Sequence, residues 1–394
     1  MAETTTGAAL EDWLLDNALR AVVLDDLVDG MARRVLAAGV PIRRCSVAWS
    51  ILHPLFDAEA VTWTRADGPV LSQFPHTQRE REAWSKSPIR HMLANGLETL
   101  RRRLAGAAAE LDFPLCEELA SVGDTDYVAF TVRFDIPKIV DEDRGIVVSW
   151  TTDRSGGFTD GDIAMLSRLN RPLAITCRGA LLSRIASNIA ETYLGRRAGG
   201  DVLAGRIRRG DGHTIRAVIW YSDLRGSTAL AESLAPDAYI AMLNRYFEYT
   251  AGTVMDAGGE VLDFIGDAVL GVFPVVDGAS VETAAAAATE AADAAVSRIA
   301  PMTEASPALD FGVALAVGDV MFGNIGIPNR LSFSVIGSTV NAVARIEKMT
   351  KQIGEPVLAT EHVARTAPAD WRAVGSFPLD GFGAPVPLHA RARP

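Results

Sequence analysis

Three cysteines in 394 residues, at positions 45, 116 and 177, are too few and too scattered for a disulfide framework. Cys45, Cys116 and Cys177 therefore read as small core residues of a chain kept in a reducing compartment. Basic residues are also in short supply, with 38 Lys and Arg against 49 Asp and Glu. A nucleic-acid binder needs the opposite balance to displace counterions from phosphates, so that class is excluded and the expected partners are small molecules or proteins. No uninterrupted apolar run could span a bilayer, because the alanine-rich stretch 284–300 carries Glu290, Asp293 and Arg298. Met1-Ala2-Glu3-Thr4 opens without a basic segment and an apolar run, so no signal peptide and a cytoplasmic location are expected. His53, His76 and His91 lack metal-ligand spacing, and Trp63, Trp84 and Trp150 read as core or pocket wall rather than cofactor stackers.

What is present is globular: 48% apolar and 22% charged residues over a length that suits two domains. In the first half, Leu15, Leu19, Val23, Leu27, Met31 and Val35 recur every four positions and predict one amphipathic helix over about 10–39, ended by Gly39-Val40-Pro41. Strands are expected at Cys45–Leu52, Ala60–Thr64, Tyr127–Phe134 and Ile146–Thr151, a helix over about 95–110, and a hairpin connection over 135–144. Thr159 or Asp160 is placed to cap a closing helix through Met165 and Leu169. This order, with its "SWTTDRSGGFTDGDIAMLSRL" ending, resembles a GAF sensor domain, with PAS as the rival; the resemblance implies a small-molecule or protein effector for residues 1–194.

Six glycines and five arginines over 195–213 read as a linker, taken as 195–212. Beyond it the expected order is strand (215–221), helix (227–257), hairpin (259–273), helix (281–300), strand (309–317), and strand then helix (333–351), closed by a short helix and a strand.

Three segments of this second half carry chemistry. "IWYSDLRGSTALAE" sets Asp223 at the end of an apolar strand, and "GGEVLDFIGDAVLGVF" sets Asp267 where two short strands meet. Two carboxylates at one sheet edge can bind two Mg²⁺ or Mn²⁺ ions, which demand hard oxygen ligands and leave positions for phosphate oxygens. The turn Leu224-Arg225-Gly226-Ser227 offers backbone N–H groups at a helix N-terminus, a fitting neighbour for a triphosphate. In "SVIGSTVNAVARIEK", Asn341 and Arg345 stand at i and i+4 on one helix face, an amide and a guanidinium suited to a sugar oxygen and a phosphorane bearing developing charge. An isolated Asp at a strand end is more often a turn former or cap; four such positions together reverse that reading.

"SDLRGST", "FIGDAVLGVF", "GNIG" and "IGSTVNAVARIE", in this order, resemble the class III adenylate and guanylate cyclase catalytic domain over 213–394. The expected fold class is thus α+β: a GAF-like α/β sensor domain followed by a ferredoxin-like βαββαβ cyclase domain. The resemblance implies a head-to-tail homodimer with composite sites, Asp223 and Asp267 from one subunit and Asn341 and Arg345 from the other. It also implies that the Leu224 carbonyl assists a metal, that the Arg225–Ser227 amides hold the β- and γ-phosphates, and that Arg345 stabilises the transition state.

The sequence departs from the family at three places. Asp263 stands where adenylate cyclases commonly carry a base-reading Lys, Ser334 occupies the second base-reading position, and a late phosphate-binding Lys is replaced near Asp380-Gly381-Phe382. An acceptor at Asp263 with a hydroxyl at Ser334 can satisfy either guanine or adenine. A solvated hairpin residue without base contact is an equal reading of Asp263. ATP is placed ahead of GTP on family frequency alone, and a degenerate, non-catalytic nucleotide binder is the alternative from another class.

Overall fold

The computed structural model describes residues 2–76, 82–134, 145–275, 280–302 and 309–392. The chain divides into two compact units, Met1–Ile189 and Ala190–Pro394.

The first unit runs α1 (Ala2–Ala18), α2 (Leu24–Ala37), β1 (Arg44–Ser50), β2 (Phe56–Thr64), β3 (Gly68–Pro75), α3 (Glu82–Ser85), α4 (Pro88–Asn95), β4 (Thr99–Arg103), α5 (Pro114–Ser121), β5 (Asp126–Arg133), β6 (Gly145–Thr152) and all but the last five residues of α6 (Asp160–Leu194). Its strands form one antiparallel sheet in the order β3-β2-β1-β6-β5-β4. Because side chains alternate across a strand, β1 sends Cys45, Val47 and Trp49 to one face, where they pack with Leu27, Met31 and Val35 of α2 and Leu166, Leu169 and Leu173 of α6. To the other face it sends Ser46, Ala48 and Ser50, opposite Thr62, Ala60 and Ala58 of β2. These small residues pave the floor of a cavity of about 510 Å³, walled by Phe74, Trp84, Ile89, Leu93 and Leu115.

Several elements differ from the sequence expectation. The single helix over 10–39 is two, α1 and α2, broken where Leu19 (90% exposed) and Val23 (61%) face solvent. Leu10 and Leu14 are buried instead of Leu15, so the period of four drifted off the buried stripe. The helix over 95–110 is wrong: α4 stops at Gly96, in the left-handed conformation that ends helices, and 99–103 form β4. Asp126, fully buried on β5, accepts from Arg101 (2.7 Å) and from the Phe158 N–H (2.9 Å), and this clamp holds β4 in the sheet. β3 and α5 went unread. The expected cap before α6 is Thr159, whose Oγ1 accepts from the Asp162 N–H while Asp162 accepts from the Thr159 N–H. The connection over 135–144 lies outside the described residues. All three cysteines are free and buried.

The second unit runs α7 (Arg196–Leu203), β7 (Gly212–Leu224), α8 (Ser227–Ser233), α9 (Pro236–Asp256), β8 (Glu260–Ile265), β9 (Ala268–Pro274), α10 (Val281–Ile299), β10 (Phe311–Ile327), β11 (Arg330–Ile336), α11 (Ser338–Ile353), β12 (Val357–Thr360), α12 (Glu361–Ala364), β13 (Trp371–Phe377) and β14 (Val386–Arg391). From β7 to β10 the order is the βαββαβ of a ferredoxin-like core, with sheet order β10-β7-β9-β8. β12 joins β10 in parallel and leads on to β14 and β13, while β11 pairs β10 as a hairpin. The α10 alanines 285, 288, 292 and 295 let that helix and α9 lie close on one face of the sheet. On the other face, Val343 and Ile346 of α11 pack on Ala217 and Ile219 of β7.

Here too there are corrections. The helix over 227–257 is broken at Leu234-Ala235-Pro236 into α8 and α9, since Pro236 suits a first helical position and not an interior one. Part of 195–212 is the helix α7 within the second unit, not linker throughout. Among the described residues no helix is long and apolar enough to cross a membrane.

Candidate active site

Strand β7 places the site. Tyr221 and Asp223 point to the α11 face of the sheet, while the alternate Ser222 points to the other face, where it shares a hydrogen bond of 3.0 Å with the Tyr246 hydroxyl. The β8–β9 turn, with Gly266 at φ 68°, carries Asp267 beside Asp223. The Asp223 carboxyl is pushed up to about 6, first by burial and then by its hydrogen bond with, and the charge of, Asp267. A cation bound between the two carboxylates would relieve the repulsion that raises Asp223. Tyr221 is pushed up to about 12 by burial and by the charges of Asp223, Glu347 and Asp267.

Glu347 was missed from the sequence. It is 5% exposed, on the buried side of α11, and is pushed up to about 7 by desolvation and then by Asp223, with Arg225 acting in the opposite direction. A signal existed: Ala342, Val343, Ile346 and Thr350 mark the buried stripe of α11, and a lone carboxylate falls on it.

The turn after Asp223 is held from beneath. The Arg225 N–H donates to the Asp310 carbonyl (2.8 Å), and its guanidinium donates to the Asp310 carboxylate (3.0 and 3.1 Å) and to Thr350 Oγ1 (3.1 Å). Gly226, at φ 72°, turns the chain into α8. That helix has only seven residues, so the helix-end charge offered at Ser227 is that of a short helix instead of a long one.

Asn341 is exposed on α11, and its carbonyl accepts from Arg345 Nη1 at 3.0 Å. Arg345 lies 5.7 Å from the Phe382 ring and beside Gly381, the segment where the sequence lacks a family lysine. No described hydrogen bond or ion pair joins Asn341 or Arg345 to Asp223 or Asp267. Asp263 is exposed on β8 opposite Leu270, and Ser334 is half-buried on β11 opposite Gly323; the two strands touch. Among the described residues no group of three or more His, Cys, Asp or Glu could hold a metal ion. A hard cation here fits the paired carboxylates, with main-chain and substrate oxygens to complete its shell.

Residues 213–368 match the model of the adenylate and guanylate cyclase catalytic domain, so the second unit carries a domain of that family. An adenylate cyclase of Anabaena cylindrica is 32% identical over 161 residues, 40% of this chain and 32% of that protein. An uncharacterised protein of Mycobacterium tuberculosis is 31% identical over 240 residues, 60% of this chain and 41% of that protein. The chain thus spans about a third to two-fifths of the length of these relatives. Among solved structures, the adenylyl cyclase CyaB of P. aeruginosa aligns with a TM-score of 0.42 at 23% identity, over 46% of this chain and 96% of that one. The guanylyl cyclase Cya2 aligns with a TM-score of 0.39 at 27% identity, over 46% of this chain and 93% of that one.

Proposed function

We propose that this chain is a nucleotidyl cyclase that converts ATP to 3′,5′-cyclic AMP and pyrophosphate, as a homodimer gated by its first unit. The observation that carries the reading is the Asp223–Asp267 pair, two carboxylates forced together at a strand end within the family's domain. Such a pair is costly unless a divalent cation neutralises it. Asp223, Asp267 and the Leu224 carbonyl would hold Mg²⁺ or Mn²⁺. Bound there, the metals supply charge that lowers the pKa of the ribose 3′-hydroxyl and neutralises the triphosphate.

The chain's own residues do the rest. The amides of Arg225, Gly226 and Ser227 cradle the β- and γ-phosphates, and Asn341 orients the ribose. The ribose 3′-hydroxyl then gives up its proton to water and its oxygen bonds to the α-phosphorus, as the α-phosphorus–oxygen bond to the β-phosphate breaks and pyrophosphate leaves. Arg345 stabilises the negative charge that gathers on the α-phosphate oxygens. Arg345 has no described link to the carboxylates of its own chain, which supports a site completed by a second copy. Exposed Phe264, Ile265, Met321, Ile327 and Ile336 offer apolar surface for that copy.

Purified chain incubated with Mg²⁺ or Mn²⁺ and each nucleoside triphosphate should yield cyclic AMP from ATP faster than cyclic GMP from GTP. Product from neither would support the non-catalytic alternative. GTP is the second reading, because exposed Asp263 can accept from guanine N1–H and N2–H₂ as well as from the adenine amine. Asp263→Lys should raise the ATP-to-GTP preference about tenfold or more, because an ammonium cannot accept those protons. An unchanged ratio would show that position 263 does not read the base.

The cavity in the first unit supports the gating role. Its volume suits a small molecule, and its walls are mainly apolar. Ala60→Trp, which fills the floor, should abolish the fluorescence enhancement of anilinonaphthalene sulfonate bound there; equal enhancement in wild type and variant would mean the cavity takes no such ligand.

A further inference from the structure

The buried side of α11 faces the turn that follows Asp223. Gly312 of β10 stands directly opposite Asp223 in the β7–β10 register. A Cβ at Gly312 would fall inside van der Waals contact of both Thr350 Oγ1 and Glu347 Oε1. The two side chains therefore fill the space that this missing Cβ leaves, next to the metal-site strand. There they form a relay: Arg225 Nη2 donates to Thr350 Oγ1 (3.1 Å), and Thr350 Oγ1 donates to Glu347 Oε1 (3.4 Å). Arg225 is anchored on its other side by Asp310, and its Nε is buried without a partner among the described residues, so the guanidinium depends on Asp310 and Thr350 for its place.

Glu347 and Thr350 cannot share a face with Asn341 and Arg345. At 100° per residue they lie on the opposite side of the helix, and both are buried while Asn341 is exposed. The helix thus presents one pair outward and fixes the 224–227 turn with the other.

We propose that Glu347 is a positioning residue for the metal site. It orients the Thr350 hydroxyl, which fixes Arg225, which in turn sets the main chain of the turn beside Asp223. The role is that of a hydrogen-bond acceptor and not of a metal ligand. This proposal rests on the reading of Asp223 and Asp267 as the metal carboxylates.

The test is Mn²⁺ alone, titrated into the full-length protein and followed by the loss of the free Mn²⁺ electron-paramagnetic-resonance signal. Glu347→Leu and Thr350→Val should each weaken Mn²⁺ binding about tenfold, the size of effect usual for residues that orient ligands from outside the coordination shell. Glu347→Gln keeps an oxygen for the Thr350 hydroxyl and should bind within about twofold of wild type. Thermal melts check that each variant is folded, and Thr350→Val, which loses only a hydroxyl, carries the test if Glu347→Leu does not fold. Wild-type binding by Thr350→Val, or a Glu347→Gln protein as weak as the other variants, would overturn the proposal. Asp223→Asn separates the two readings. If it too binds Mn²⁺ like wild type, the metal assignment fails; if it loses binding while Thr350→Val does not, only the positioning role fails.

Discussion

Asp223→Asn removes turnover and at the same time raises the melting temperature of the metal-free protein at neutral pH. The loss of activity should be about 10³-fold or more, since a change of roughly 4 kcal/mol in charge stabilisation at the transition state is a factor of that order. The gain in stability follows from the sign of the shifts. Asp223 is raised to about 6 from an ordinary 3.8, and Glu347 to about 7 from 4.5. Both groups bind protons more tightly in the folded than in the unfolded chain. Folding stability is then fullest below about pH 4 for these two groups, and is lost as pH rises through 6 and 7. Melts in chelator should fall by a few °C, in order of magnitude, between pH 5 and pH 8, and less in Asp223→Asn, which cannot ionise there. Added Mn²⁺ should reverse the trend in wild type by binding only the folded state. A metal-free melting temperature that rises with pH over this window, or an Asn variant less stable than wild type at pH 8, would show that the carboxylate pair is not strained.

The parts of this arrangement differ in how far they could be read from sequence. Asp223 and Asp267 were legible because each stands in a motif: a lone Asp beside a strand passes for a cap or a turn former, and four matched positions in order do not. Their mutual contact depends on β7 pairing with β9, which follows from the hairpin and the crossing helix between them. Glu347 illustrates the reverse case. It lies two positions from Arg345, and the residues that face it, Asp223 and Gly312, come from different strands. Only tertiary packing shows that a carboxylate inside the apolar stripe of α11 faces another carboxylate.

The same division holds in the first unit. The strands β1, β5 and β6 announce themselves by alternation. Residues 99–103 do not, because Leu and Arg favour helix in isolation and the decisive interaction is the buried Asp126 that Arg101 reaches across the sheet. The break between α1 and α2 was hidden by Leu19 and Val23, apolar residues that kept the period while standing in solvent.

Proteins carrying Asp223→Asn or Arg345→Ala, each inactive alone, should recover activity when combined. In a head-to-tail dimer the carboxylates of one chain meet the Arg345 helix of the other. A heterodimer of the two variants then has one composite site with both lesions and one with neither. Random association makes half of all dimers heterodimeric, each with one of its two sites intact, so the ceiling is about a quarter of wild-type activity when sites act independently. The chains must exchange, so co-expression with two different affinity tags and sequential purification would isolate the mixed species, which should show about half the wild-type rate. Background turnover in verified heterodimers would mean that Asp223 and Arg345 serve one site within one chain, or that neither site works unless both are intact. A covalently linked dimer with both lesions in one of its halves separates these outcomes. It retains one intact site if the residues act within a chain and none if they act across chains.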